Sequence, residues 1–486
     1  MGEGEPTWAE SGLDLLILHP PDFIWRMPDE AVPTIREERY LPLGAMYLAT
    51  HLRRRGLRAM VAPLREYYQN HGSYRDYDDG SRRARERFER KTARILDRLI
   101  QQLRPRSIGL SLNYALHERA VGILLEVLRR DHPGLPVLLG GVHATLTAGD
   151  WLRREAGPDV VVLGEGELPC ERLLTQGLDP QGIDGLALKR PDGSVELRDR
   201  PAFLVSEDIS RPMDLDLIAL PRWASFVDRL HFVTFSRGCN WRCDFCCCPQ
   251  VSGRRRPRDP ERVAEEIDAL WRREVRDVFI TDEALLPRSE GFAAVASVLR
   301  RFEGARFSCL MRPDHLTRTD PARIAAANLD LIIVGIESFS PRVHREMNKG
   351  IKPAVIDALP EAIRGLHGQG LKVVPLVMLG YPGSSPAEDG RTLEACTVMA
   401  EQGWLWDVCV AHTAPFPGTA LAAGLGSRFR LHQPDTARWN LSEPVIELLD
   451  PDGEVSYRAD EMREIYRSLE SLRARHGLGP YRASGD

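Results

Sequence analysis

Apolar residues in this chain come in short runs, and amphipathic stretches separate them. Leu13-Asp14-Leu15-Leu16-Ile17-Leu18 predicts a buried strand that stops at Pro20-Pro21, and apolar spacing from Leu43 to Arg55 predicts the helix after it. The same alternation recurs at Ser107–Ser111, at a helix over about 117–130, at Val137–Gly141 and at Val160–Gly164. Strands alternating with helices build a parallel sheet covered on both faces. Ligands of such sheets bind at the carboxyl ends of the strands. Here those ends carry Gly140-Gly141-Val142-His143 and Gly164-Glu165-Gly166-Glu167. A polar stretch over 69–100 predicts a loop and then an exposed, solvated helix. Residues 183–200 predict a hairpin around Pro191-Asp192-Gly193, followed by a Pro- and Asp-rich connector over 201–222.

A second alternating block starts at His231-Phe232-Val233-Thr234-Phe235. Its later strands are Asp277–Thr281, Ala305–Leu310, Leu329–Gly335, Val373–Gly380 and Trp406–Ala411, separated by helical patterns such as 260–273 and 353–369. About six βα units of this kind suffice for a partial parallel barrel. The expected fold class is therefore α/β. A Rossmann-like parallel-sheet domain occupies 1–182, a hairpin and linker 183–230, and a partial (β/α)6 barrel 231–425. Residues 426–486 form a short helical tail with one amphipathic helix near 459–475.

A length of 486 residues with 43% hydrophobic and 28% charged residues fits a soluble globular protein of two or three domains. The net charge of −5 argues against non-specific nucleic-acid binding. Sixty of the 65 basic residues are arginine, as a GC-rich genome produces. No apolar run is long enough to span a bilayer, and the start Met1-Gly2-Glu3-Gly4-Glu5 lacks the basic-then-apolar pattern of a secretion signal. The expected location is cytoplasmic, where clustered thiols point to metal or redox chemistry rather than to disulfides.

Five of the nine cysteines fall within ten residues, in Ser236-Arg237-Gly238-Cys239-Asn240-Trp241-Arg242-Cys243-Asp244-Phe245-Cys246-Cys247-Cys248-Pro249. Thiolates at spacings of four and three, directly after a strand, can wrap a compact iron–sulfur core. Three of them on a four-iron cube leave one iron open for a small molecule. A structural zinc site is the first alternative, but zinc normally takes a fourth protein ligand and a second C-x-x-C-type pair. Inert buried thiols are the second. Cys170, Cys309, Cys396 and Cys409 stand alone and read as core residues, and no second cluster follows the barrel.

The C-x-x-x-C-x-x-C motif in its Gly-Cys-Asn-Trp-Arg-Cys-Asp-Phe-Cys setting resembles the radical S-adenosylmethionine (SAM) superfamily. The layout over about 13–420 resembles the class with an N-terminal cobalamin-binding-type domain. Leu41-Pro42-Leu43-Gly44, Gly140–Thr145, Gly164–Glu167, Ile336-Glu337-Ser338, Asn348-Lys349-Gly350 and Leu379-Gly380-Tyr381-Pro382-Gly383 also match. The resemblance implies a [4Fe-4S] cluster on Cys239, Cys243 and Cys246, with SAM on the open iron. Reductive cleavage of SAM then yields a 5'-deoxyadenosyl radical that abstracts a substrate hydrogen. It further implies that Asp282 and Glu283 hold the SAM amino group, that Glu337 contacts its ribose and that Arg312 pairs with its carboxylate. Each of the four has an alternative as a plain strand-end charge. Cys247 and Cys248 exceed what the cluster needs, as small buried residues or as a hydrogen-bond, proton or hydrogen-atom partner. The run Gly253–Arg258 reads as a solvated face or a docking site for an electron donor such as flavodoxin or ferredoxin.

Cobalamin itself is an open question in the sequence. An Asp-x-His-x-x-Gly loop is absent, since Asp131-His132 is not followed by that pattern, although radical SAM relatives often bind cobalamin without a protein ligand to cobalt. Arg58–Pro63 also lacks the acidic residue usual at the end of that strand, so the expectation leans against cobalamin. His19, Tyr114 and His143 are the candidates to line a corrinoid pocket. Length and this degenerate domain most resemble the radical SAM diol dehydratases of aminoglycoside (apramycin) biosynthesis. That resemblance implies dehydration of a polyol or aminoglycoside, with a companion reductase as a further partner. The alternative is cobalamin-dependent methylation of an unactivated carbon or phosphorus. His412, Asp407, Asp314, His315 and Cys247, near barrel strand ends, are the candidates for acid–base work and for binding substrate amino groups. An iron–sulfur electron carrier would need neither an open iron nor six βα units.

Overall fold

The computed structural model describes residues 12–21, 40–68, 82–221, 224–227, 229–439 and 441–478. Two compact units divide the chain. Residues 1–204, 213–229 and 436–438 make the first; 205–212, 230–435 and 439–486 make the second. The connector and the tail thus each contribute to both units.

The first unit is built on a seven-stranded sheet. Its strands are β1 (Leu15–His19), β2 (Ala59–Pro63), β3 (Ile108–Ser111), β4 (Val137–Gly140), β5 (Val160–Val162), β6 (Leu186–Lys189) and β7 (Val195–Leu197). They run in the order β2-β1-β3-β4-β5-β6-β7, with the first five parallel and the last two antiparallel. The hairpin expected at 183–200 is present, and it extends this sheet rather than standing as a linker. β1 and β2 are buried at every position, as strands covered on both faces must be. The order 2-1-3-4-5 reverses between β1 and β3, so the ligand crevice of the fold lies at their carboxyl ends.

The expected solvated helix is the largest local difference. Arg82–Leu103 is helical, but Ala84, Phe88, Thr92, Leu96 and Leu99 form a buried stripe along it. Phe88 stacks on Tyr68 at 4.9 Å, and the Tyr68 hydroxyl meets Thr92 Oγ1 at 2.6 Å. Charged residues outnumber this stripe in the sequence, so composition hides a seam that the period of 3.6 reveals. The loop expected before the helix lies at 69–81, outside the described residues.

The second unit holds six parallel strands: β8 (His231–Val233), β11 (Asp277–Leu285), β12 (Arg306–Met311), β13 (Leu329–Glu337), β14 (Lys372–Leu379) and β15 (Cys409–His412). Their order β15-β14-β13-β12-β11-β8 leaves the barrel open, as expected. Between β8 and β11, the two-residue strands β9 (Ser236–Arg237) and β10 (Arg256–Pro257) pair antiparallel. Several helices start where sequence chemistry says they should. Asp259, Asp320, Ser340 and Ser385 each cap a helix whose first residue is proline.

The tail differs from the expected short helical extension. The helix Ala459–Arg475 is present, but β16 (Phe429–Leu431), β17 (Ile446–Leu449) and β18 (Val455–Tyr457) precede it as an antiparallel sheet. Strands of three or four residues carry too little periodicity to be read from sequence. They close a second hydrophobic core with Tyr381, Trp439 and Met462.

Phe88→Ala should destabilise the first unit by about 3–5 kcal/mol through the cavity it leaves. Equilibrium denaturation should show this as a lower midpoint.

Candidate active site

The cysteine loop starts at the carboxyl end of β8, and its backbone is held from several sides. Gly238 sits at φ +84, and a Cβ there would lie 2.5 Å from the Arg254 oxygen and 2.7 Å from the Gly253 oxygen. Only glycine allows that approach. It lets Cys239 N–H donate to the Gly253 carbonyl at 3.0 Å. Asp244 N–H donates to the Met347 carbonyl at 3.0 Å, Asn348 Nδ2 donates to the Arg242 carbonyl at 3.1 Å, and Leu421 N–H donates to the Asp244 carbonyl at 2.9 Å.

Beneath the loop lies Asp282, with no exposed surface. Its carboxylate accepts from Phe235 N–H at 2.6 Å, Ser236 N–H at 3.2 Å and Thr234 Oγ1 at 2.9 Å, and also from the Ser236 hydroxyl. Burial pushes this carboxyl upward against the pull of those hydrogen bonds. Arg258, also buried, pairs with Glu266 at 2.5 Å and donates to the Thr234 carbonyl at 2.7 Å. Asp282 therefore spends its oxygens on the segment that leads into the cysteines.

Glu283 follows it on a stretch where β11 leaves the register of β12, between Ile280↔Cys309 and Leu285↔Met311. Such an irregularity re-aims side chains at the end of a strand. The Cys248 thiol donates to Glu283 Oε1 at 3.1 Å. Cys248 also lies beside Cys239, and their proximity draws the Cys239 thiol down to about 6 while it pushes Cys248 up. Cys247 is the N-cap residue of the helix Cys248–Ser252, with no side-chain cap bond. Its carbonyl accepts from Gln250 N–H at 3.1 Å and Val251 N–H at 3.2 Å.

β13 ends in a comparable irregularity, between Gly335↔Leu376 and Glu337↔Val377, and Glu337 adopts φ +64. Its carboxylate meets Lys349 Nζ at 2.5 Å, and Lys349, 5% exposed, also donates to the Gly335 carbonyl. Lys349 lies 5.9 Å from the centre of the Phe245 ring in the cysteine loop. Arg312 donates to the Lys349 carbonyl at 2.8 Å and to Asp314 at 2.9 Å, and stacks over Trp241 at 4.1 Å. The His315 ring meets Trp241 edge-on at 5.9 Å. Glu283, Arg312, Asp314, His315 and Glu337 thus gather around the cysteine loop. Cys248, one of the two extra cysteines, joins them through Glu283, and Lys349, Trp241 and Phe245 do so without having been singled out as site residues. The Asn348-Lys349-Gly350 match was the signal for Lys349.

Asp407 and His412 do not join this group. Asp407 takes both arms of the Arg473 guanidinium, at 2.7 and 2.9 Å, and His412 stacks on Tyr466 at 5.2 Å. Both partners lie on the helix Ala459–Arg475, so the acid–base roles expected of the two residues are corrected to packing. Among the lone cysteines, Cys170, Cys309 and Cys396 are buried as expected, whereas Cys409 is exposed on the edge strand β15.

The donor set fits an iron–sulfur core. Burial pushes the Cys243 and Cys246 thiols up, Cys239 adds to both and Cys243 to Cys246, and Arg312 and Lys349 bring positive charge to Cys243. Among the described residues no three His, Cys, Asp or Glu side chains close around one point as they would around a single ion. A four-iron core takes each thiolate at a separate iron.

Comparison with known proteins agrees with this geometry. The radical SAM superfamily matches residues 233–396, and the B12 binding domain matches residues 36–174. The chain carries a radical SAM domain and a B12-binding domain. It is 25% identical over 335 residues to an uncharacterized methyltransferase of Pyrococcus horikoshii, covering 67% of this chain and 70% of that one. It is 24% identical to the anaerobic magnesium-protoporphyrin IX monomethyl ester cyclase of Rubrivivax gelatinosus, covering 66% of this chain and 58% of the relative. Among solved structures, the radical SAM methyltransferase TsrM of Kitasatospora setae, with cobalamin and a [4Fe-4S] cluster bound, superposes with a TM-score of 0.65. The identity is 17%, over 95% of this chain and 91% of TsrM. The cobalamin-dependent radical SAM enzyme OxsB gives 0.59 at 16%, over 79% of this chain and 52% of its own. At such identities the likeness is one of fold. The expected [4Fe-4S] cluster and SAM follow from the radical SAM domain, and the domain match weighs against the expectation that disfavoured cobalamin. No helix among the described residues is long and apolar enough to cross a membrane.

In the B12-binding domain, the carboxyl ends of β3, β4 and β5 present an exposed Tyr114 and half-exposed Gly140, Gly141 and Gly164. Such a rim of aromatic ring and bare backbone suits a large planar ligand. His19, His117 and His143 are all buried there, and His143 pairs with Glu118 at 2.5 Å.

Two outcomes follow. Lys349→Met leaves the Glu337 carboxylate buried and unpaired, which should cost about 3–5 kcal/mol, and adding Glu337→Gln should recover part of it in a double-mutant cycle. His412 is pushed by burial down to about 3, so the unfolded chain takes up a proton at this ring well before the native one does. Stability from His412 is therefore full near neutrality and falls as pH drops from about 6.5 toward 3, by roughly 5 kcal/mol in all. Chemical denaturation of His412→Leu across that range should give a shallower acid limb than the parent.

Proposed function

We propose that this enzyme is a cobalamin-dependent radical SAM methyltransferase acting on an unactivated carbon or phosphorus of a small secondary metabolite. The observation that carries the reading is the pairing, in one chain, of an open three-cysteine loop with a B12-binding domain. The methyltransferase named among its relatives supports it. When bound, the cluster would supply an electron to SAM and cobalamin would carry the methyl group. The chain's own part is to bind, orient and exclude water. Glu283 offers a carboxylate for the SAM amino group, Arg312 a guanidinium for its carboxylate, and Glu337 a carboxylate for its ribose. Lys349 holds Glu337 in its left-handed backbone position and keeps the pocket near neutral charge. Half-buried Leu310, Ile333, Leu376 and Met378 share an apolar face of the barrel that limits the access of water.

The second reading is dehydration of a 1,2-diol in a polyol or aminoglycoside without cobalamin, and a specific observation favours it. At the crevice between β1 and β3, His19 packs edge-on against Tyr40 at 5.6 Å and His117 at 5.4 Å, and Tyr114 meets His117 at 5.3 Å. Thr436 reaches back to donate to Glu118 at 2.9 Å, beside the same turn. The chain's own side chains thus fill part of the space where a ligand of this fold lies.

Reconstituted protein should be incubated with SAM, a reductant and candidate aminoglycosides, with and without cobalamin, and its products weighed by mass spectrometry. A product heavier by one methyl group, formed only with cobalamin, is the expected outcome. A deoxygenated product formed without cobalamin would establish dehydration instead. Cys239→Ala should lose cluster iron and SAM cleavage in either case.

A further inference from the structure

We propose that His344 is a positioning residue of the site, locking the strained turn that aims the Glu337 carboxylate. The proposal rests on the reading that Glu337 meets the ribose of SAM. Glu337 is spanned by one backbone hydrogen bond, from the Ser338 N–H to the Ile336 carbonyl at 2.9 Å. With φ at +64, this is the left-handed γ-turn, the rarer and more strained of the two forms. A residue with a side chain keeps such a backbone only where its surroundings over-determine it. Gly335, two residues back, leaves room for the result. A Cβ there would lie 3.0 Å from Glu337 Oε1 and 3.2 Å from Lys349 Nζ, so the carboxylate folds back over its own strand.

The lock comes from the helix that follows. His344 lies in the helix Pro341–Glu346 and is 1% exposed. Its Nε2–H donates to the Ser338 carbonyl at 2.7 Å. The Ser338 hydroxyl accepts from Ser340 N–H at 3.0 Å, and Thr392 Oγ1, on the helix Pro386–Glu401, accepts from Phe339 N–H at 3.1 Å. Lys349 thus holds the Glu337 carboxylate, whereas His344 ties down the backbone on the far side of the turn. Burial pushes the imidazole down to about 4, and the Lys349 charge adds to that, against the pull of the Ser338 carbonyl. A ring that is neutral near pH 7 has one N–H, and the carbonyl facing Nε2 takes it. Leucine would fill much of the same space without that donor. Glutamine carries an amide nitrogen where histidine carries Nε2 and can restore the bond.

Two readouts test this: equilibrium dialysis of labelled SAM against the cluster-loaded enzyme, and hydrogen exchange of the backbone over 336–340. His344→Leu should bind SAM about tenfold more weakly, the size of one lost buried hydrogen bond, and should exchange faster at Ser338. His344→Gln should stay within about threefold of the parent. In a Glu337→Ala background, His344→Leu should cost no further affinity, because its effect runs through Glu337. Equal SAM affinity in the parent and His344→Leu overturns the proposal. So does an undiminished loss in the Glu337→Ala background, which would make His344 a general packing residue. Where His344→Leu does not fold, His344→Asn, too short to reach the carbonyl, takes its place in the same cycle. Parent-like SAM binding by Glu337→Ala would refute the ribose assignment. Exchange at Ser338 then decides whether His344 holds the turn, faster exchange upholding the lock and unchanged exchange overturning it.

Discussion

The structure depends on a close approach of two backbones. Gly238 lies against Gly253 and Arg254 at a distance that no side chain tolerates, and the Cys239 N–H closes the contact. That approach bends the chain back over the carboxyl end of β8 and presents three thiols on one short loop. Every other element around the site reinforces it. Asp282 grips the segment before the cysteines from below, and Met347, Asn348 and Leu421 hold the segment within them. A loop that must hold an inorganic core cannot rely on that core for its shape before the core arrives, so hydrogen bonds to the surrounding barrel supply it.

Charge is arranged with the same economy. Thiolates and carboxylates concentrate negative charge at one end of the barrel, and two buried cations answer it. Lys349 is tied to Glu337 and the Gly335 carbonyl, and Arg312 to Asp314 and the Lys349 carbonyl. Each cation also rests on an aromatic ring of the cysteine loop, Phe245 or Trp241. Electrostatic balance and loop position are therefore one network, and a change in either partner disturbs both.

Much of the fold was legible in the chain. Buried parallel strands declare themselves as unbroken apolar runs, and Asp-Pro and Ser-Pro pairs announce helix starts at 259, 320, 340 and 385. The tail was less so, because β16, β17 and β18 are too short to show a period. The helix Arg82–Leu103 reads as solvated by composition, and only its stripe of every fourth residue shows that Phe88 is in the core.

The spacing of Cys239, Cys243 and Cys246 by itself pointed to an iron–sulfur core, because the geometry of such ligands is local in sequence. What the remaining polar residues do was decided only by tertiary structure. His412 ends a barrel strand just as Glu337 does, and Asp407 stands just before one, yet the helix Ala459–Arg475 claims both of them. Asp282 and Glu283 are neighbours in sequence, yet one is sealed under the loop and the other reaches Cys248. Strand-end residues look alike in a sequence, and their roles diverge once a register irregularity and a packed helix determine which of them face the opening.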